Sequence, residues 1–225
     1  MRLIEVTKRY QGQTVLDRID VSFPPGRLSL ITGPSGSGKT TLLHLAAGLA
    51  VPDSGRVEVG DRAVSELSGR ERARFRAGVG VAFQRSGLLG GLTARENITV
   101  GHRLTGRAVD PSWVDHLTDL LGVAAVLDLR ASRLSGGQAQ RVALVRALAH
   151  QPPVLFADEP TASLDSHGTD QVHELLRRLS HDHAITVLLV SHDQTAPHHA
   201  DEVFALADGH LSPAASARHR RESLA

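Results

Sequence analysis

Cysteine is absent from the 225 residues, which excludes structural disulfides and thiol chemistry and leaves His, Asp and Glu as metal ligands. Lysine is nearly absent too: Lys8 and Lys39 are the only two, and arginine supplies the remaining positive charge. Tyr10 is the only tyrosine. No segment reaches the roughly 18 uncharged apolar residues needed to span a bilayer, and Met1-Arg2-Leu3-Ile4-Glu5 lacks the apolar run of a secretory signal. The chain therefore reads as cytoplasmic, with any role at a membrane reached through a partner. A formal charge of +1 offers no broad positive field for a phosphate backbone, so no nucleic-acid partner is expected. The length suits one well-buried core with, at most, a smaller lobe.

What is present alternates between strand and helix patterns. Residues 2–7 and 14–23 predict short strands joined by a glycine-containing turn, and Pro24-Pro25-Gly26 closes the second. Residues 28–32 form an apolar strand entering a glycine-rich loop, followed by helical periodicity at Leu42, Leu43, Leu45 and Ala46. Residues 79–83 predict another strand. Helices are expected near 94–103, 111–121 and 137–150, so that about 85–150 forms a helical subdomain inserted in the sheet domain. Strands at 154–158 and 185–190, with a helix near 167–180 between them, point to a largely parallel sheet covered by helices. Asp208-Gly209 predicts a tight turn. One domain over 1–212 is expected, with 213–225 as a flexible tail.

Gly33-Pro34-Ser35-Gly36-Ser37-Gly38-Lys39-Thr40 has the spacing of a phosphate-cradling loop, and it sits between strand and helix as that motif requires. Close glycines turn successive N–H groups toward an anion, and the following helix adds its positive end. Lys39 would reach the β- and γ-phosphates, Thr40 would place its hydroxyl on Mg²⁺, and Thr41 continues the loop's contacts. A lysine here, in an arginine-rich chain, fits a compact ammonium between phosphates better than a planar guanidinium would.

The strand at 154–158 ends in Asp158-Glu159. Asp158 suits a direct or water-mediated Mg²⁺ contact, and Glu159 could polarise the attacking water. His192 follows the next apolar strand and could orient that water or bond the γ-phosphate. Gln84 closes the strand at 79–83, where an amide can reach Mg²⁺ or water; an ordinary polar strand end is the other reading. Tyr10, just before Gln11-Gly12, is a candidate to stack on adenine, with core packing as its competitor.

Together with Leu134-Ser135-Gly136-Gly137-Gln138 and Ser163-Leu164-Asp165, these residues closely resemble the ATP-binding cassette of ABC transporters, from Tyr10 through His192 and the following strands. The resemblance implies an α/β P-loop NTPase with a mixed parallel core sheet, an antiparallel β lobe and a helical signature subdomain. It implies a homodimer in which ATP lies between the phosphate loop of one copy and the Ser135, Gly136, Gly137 and Gln138 segment of the other. Asp165 is then expected at the interface between paired sites, and Arg85 to Thr93 against a multi-span transmembrane permease on the inner face of the cell membrane. Glu159, His192 and Lys39 are the expected catalytic residues, ATP and Mg²⁺ the cofactors, and Thr40, Gln84 and Asp158 the metal-contacting groups.

Within that family the chain looks most like the subgroup serving lipoprotein release, macrolide or peptide export, and bacterial cell division. Gly90-Gly91 departs from the proline often found before the pair Leu92-Thr93. The alternative is a soluble ABC ATPase of nucleic-acid repair or translation. The long heptad run, zinc-binding cysteines or second phosphate loop typical of those relatives are missing. A regulatory module without hydrolysis is disfavoured by the joint presence of Lys39, Asp158, Glu159 and His192.

Overall fold

Gln11 and Gly12 take φ of 50° and 83°, the left-handed pair that matches the twist of a two-residue hairpin, and so join β1 (Arg2–Tyr10) to β2 (Gln13–Ser22). Leu3 and Val6 of the first strand and Leu16 and Ile19 of the second turn inward. The computed structural model describes residues 1–106 and 109–214, leaving aside the side chains of 103–105. After β3 (Leu28–Thr32) come α1 (Lys39–Ala46), β4 (Ser54–Val59), β5 (Arg62–Ala63), α2 (Gly69–Arg76) and β6 (Gly80–Ala82). The helical stretch contains α3 (Ala94–Thr105), α4 (Pro111–Leu120) and α5 (Gly136–Leu148). The chain then returns through β7 (Val154–Asp158), α6 (Ser166–Asp182), β8 (Thr186–Val190), α7 (Ala196–His199), β9 (Glu202–Ala207) and β10 (His210–Ala214).

Two sheets result. The antiparallel one runs in the order β2-β1-β4-β5, and the larger runs β10-β9-β3-β8-β7-β6, parallel except for the β9–β10 pair. The central strands are apolar on both faces because both are covered, and alternate residues separate into two cores. On one face Leu30, Leu155, Val187 and Leu189 meet Ile98, Leu117, Leu144 and Leu176 from the helices. On the other, Ile31, Phe156, Leu188 and Val190 meet Leu42 and Leu43 of α1 and Leu3, Leu16 and Val57 of the antiparallel sheet.

Residues 49–78, where β4, β5 and α2 lie, carry no strand or helix expectation. Their signals are weak: only Val57 and Val59 of β4 are buried, and Phe75 is the buried residue of the arginine-rich α2. The capping box formed by Ser68 and Glu71 was the legible mark of that helix. The domain boundary also shifts. Pro213 pairs with Phe204 and Ala214 with Val203, so these two residues belong to an edge strand, where proline is tolerated, rather than to a tail. The rest of the expected tail, 215–225, lies outside the described residues. Asp208 and Gly209, at φ of 49° and 77°, form the expected tight turn.

Two buried polar groups brace the helical stretch. Trp113 Nε1 donates to the Leu148 carbonyl at 2.9 Å, satisfying an acceptor at a helix end. Asn97, fully buried, accepts from Leu89 N at 2.7 Å and donates to the carbonyls of Thr93 at 2.9 Å and Leu89 at 3.1 Å. Asn97→Ala removes these partners and is expected to lower the unfolding free energy by about 2 kcal/mol, read as a shift in the urea midpoint at unchanged slope.

Candidate functional site

The parallel register places three strand ends side by side. Ile31 of β3 pairs with Val190 of β8, and Asp158 of β7 pairs with the same Val190, so the segments leaving these strands emerge at one edge. They enclose a cleft of about 650 Å³ lined by the loop from Gly33 to Thr41 except Ser37, and by Val15, Gln84, Asp158, Glu159, Val190 and His192. A larger groove of about 960 Å³ lies elsewhere, along α2, and includes none of these groups.

The loop is shaped by its glycines. Gly33 has φ of 147°, and a Cβ there would collide with the Leu206 carbonyl, so β9 approaches the loop only because no side chain intervenes. Gly38 caps α1 at φ of 102° with no side-chain hydrogen bond, leaving the positive helix end open toward the cleft. Lys39 Nζ donates to the carbonyls of Gly33 at 2.9 Å and Pro34 at 2.8 Å, folding its ammonium back along the loop. Ser37 Oγ is buried without a partner.

Asp158 is 4% exposed, and its Oδ1 has no hydrogen-bond partner. Burial pushes its carboxyl above the usual carboxylate range, against opposing effects from the Thr40 hydroxyl, His44 and Lys39. Glu159 follows at φ of 48°, a turn held by its N–H donating to the Val190 carbonyl at 2.9 Å. That turn sends its side chain to His192, whose Nδ1 lies 2.8 Å from Glu159 Oε2; the histidine is largely exposed and the glutamate mostly buried. The arrangement can hold an anion at the loop and helix end, a cation at Asp158, and a polar molecule beside the paired Glu159 and His192.

Other expected residues lie apart from this cleft. Ser135 caps α5, its Oγ accepting from Gln138 N at 3.2 Å while Gln138 Oε1 accepts from Ser135 N at 2.9 Å. Gly136 and Gly137 sit beside Ser163 and Leu164 rather than the phosphate loop. Asp165 caps α6, accepting from Gly168 N at 2.8 Å. Tyr10 is exposed at the end of β1, with Lys8 Nζ 5.1 Å from its ring centroid, so core packing does not explain it and the cleft does not contain it.

Sequence reading missed Gln140 and Arg146. Gln140 is buried and donates to the Phe83 carbonyl at 3.0 Å, tying α5 to the strand end that carries Gln84. Arg146 donates to the carbonyls of Ser86 at 2.7 Å and Gly87 at 2.9 Å. A glutamine on the apolar face of a helix was the available signal.

A glycine loop between strand and helix, with Asp-Glu at the neighbouring strand end, defines a P-loop nucleotide hydrolase. Comparison with known proteins narrows the class. The ABC transporter family model matches residues 16–162. The lipoprotein-releasing system ATP-binding protein LolD of Anaeromyxobacter dehalogenans is 40% identical over 92% of this chain and 87% of its own. The sulfate/thiosulfate import ATP-binding protein CysA of Mycobacterium bovis is 38% identical over 94% of this chain, which spans 60% of that longer relative. Among solved structures, the dimeric ABC transporter cassette MJ0796 superposes with a TM-score of 0.87 at 31% identity, covering 94% of this chain and 96% of that one. The same cassette was also solved as a post-hydrolysis dimer bound to ADP and Pi. The chain belongs to the ABC transporter family and is an ATP-binding, ATPase subunit of that family. These relatives do not favour the soluble repair or translation alternative.

The buried, unpartnered Asp158 oxygen makes a stability prediction. A carboxyl with a raised folded pKa stabilises the fold only while protonated, and that stability is lost as pH rises through the folded value. Asp158→Asn is therefore expected to raise Tm of the nucleotide-free chain at neutral pH by about 2 °C or more, with the gain shrinking as the pH is lowered through the raised carboxyl pKa in calorimetric scans.

Proposed function

We propose that this chain is the ATP-hydrolysing subunit of a membrane complex of the export or lipoprotein-release type, working as a homodimer in which each ATP site is shared by two copies. The observation that carries the reading is the separation of two anion-binding helix ends. The N-terminus of α1 opens on the cleft with Lys39, whereas the exposed Ser135-Gly136 end of α5 lies outside the cleft lining. An ATP in the cleft would be completed by Ser135, Gly136, Gly137 and Gln138 of a second copy, with Asp165 between the paired sites.

Within each site Lys39 exchanges its loop carbonyls for the β- and γ-phosphates, an exchange of equal donor capacity. Glu159 accepts the proton of the attacking water, and His192, 2.8 Å away, orients the pair. The donor set fits Mg²⁺: a buried carboxylate oxygen without a partner at Asp158, the Thr40 hydroxyl beside it and the amide of Gln84 in the same cleft. When bound, the ion would neutralise charge on the β- and γ-phosphates.

The partner reading rests on Arg85 to Thr93. Leu89 is 53% exposed there, while Arg146 and Asn97 hold the surrounding backbone, giving a firm apolar contact for a multi-span permease. Among the described residues, no helix is long and apolar enough to cross a membrane. We place the subunit on the inner membrane face through that permease. The lipoprotein-release assignment is supported by LolD of Anaeromyxobacter dehalogenans and a second LolD from Colwellia psychrerythraea, 35% identical.

Glu159→Gln is expected to reduce phosphate release by on the order of 10²-fold or more while retaining ATP and eluting as an ATP-dependent dimer. A variant that stays monomeric with ATP and captures no membrane subunit would remove the paired-site mechanism. Mixing Lys39→Ala and Ser135→Arg chains provides a second check. Each alone should be nearly inactive, yet a mixed dimer contains one site with both wild-type halves, so mixing should restore turnover.

A further inference from the structure

Helices α6 and α7 bring together three side chains that the ATPase reading does not use. Asp170 and His173 stand three residues apart on α6, on one helical face, and His199 ends α7. Each offers a ligand atom, and these atoms all lie within 4.8 Å of one another. The imidazoles of His173 and His199 are 5.7 Å apart between ring centroids.

Each ring has a polar group beside one of its nitrogens. His173 Nδ1 lies 3.4 Å from Thr195 Oγ1, and His173 Nε2 is buried with no hydrogen-bond partner. His199 Nδ1 lies 3.5 Å from Glu174 Oε2, while its Nε2 lies 3.4 Å from Asp170 Oδ1. A carboxylate or hydroxyl on one ring nitrogen, with the other nitrogen facing a shared point, is how proteins orient histidine ligands. His173 is fully buried. Glu174, bonded by Arg177 and Arg178, lies beside the outer nitrogen of His199. Asp170 is well exposed, leaving an approach from solvent.

We infer that His173, His199 and Asp170 form a binding site for a borderline divalent transition ion such as Zn²⁺, clamping α7 to α6. Two nitrogens and one carboxylate select against Mg²⁺ and Ca²⁺, which prefer all-oxygen shells, and a three-residue set leaves one tetrahedral position for water. The site adjoins the loop carrying His192. Thr195, which contacts His173, donates through N and Oγ1 to Asp193 Oδ1 at 2.8 and 2.6 Å, and Asp193 N donates to Ser191 Oγ at 3.1 Å. A bound ion would stiffen this chain of contacts.

The test is titration of the tag-free, nucleotide-free full chain with ZnCl₂ by calorimetry, and with Co²⁺ by visible absorption. One Zn²⁺ per chain is expected, with tetrahedral Co²⁺ bands and a raised Tm. His199→Gln and Asp170→Asn, both changes at the partly open side of the site, should each weaken binding by about tenfold or more and abolish the Tm shift. Asp158→Asn should bind as the wild type does, separating this site from the ATP cleft. Wild-type affinity retained in His199→Gln, or no binding by the wild type, would overturn the proposal.

Discussion

Parallel pairing of β3, β8 and β7 is the constraint on which the rest of the molecule depends. Because Val190 pairs with both Ile31 and Asp158, the phosphate loop, the Asp-Glu pair and His192 leave the sheet at one level. That register is paid for by apolar burial on both faces. A one-residue slip would exchange the two cores, moving Phe156 toward the helices and Leu155 toward α1. The site therefore inherits its geometry from packing that has no chemical role of its own.

Charge in the cleft is left unbalanced by the same construction. Lys39 is occupied by loop carbonyls, Asp158 keeps a buried oxygen without a partner, and the first turn of α1 lacks a side-chain cap. The last two are modest costs in the free chain that a nucleotide and a cation would relieve, so ligand binding and stability are linked. The helical stretch is connected to this centre through Gln140, whose bond to the Phe83 carbonyl joins the signature helix to the Gln84 strand end. Movement of α5 thus has a direct mechanical route to the cleft.

Legibility in the sequence followed the locality of the signal. The phosphate loop, the strands ending at Asp158 and Val190, and the helix after Gly136-Gly137 are contiguous patterns, and the structure places them as elements where they were expected. Residues 49–78 were silent because β4 and α2 bury few side chains, and short strands in a separate sheet show little periodicity. Pro213 and Ala214 were read as tail because proline and small residues resemble a linker, whereas a neighbouring edge decides that they pair. Tyr10, singled out for its rarity, lies outside the cleft lining.

By itself the sequence determined which chemistry is carried: glycine spacing, a lone loop lysine and acidic strand ends are local and cannot be rearranged by folding. Only the tertiary structure decided which of these groups meet. Glu159 and His192, distant in the chain, come within 2.8 Å, whereas Ser135 to Gln138 lie outside the lining of the cleft of their own chain. The same holds for Asp170, His173 and His199, which share no local pattern and come together only as two helices pack. Proximity between distant segments is set by sheet register and helix packing, which no local pattern encodes.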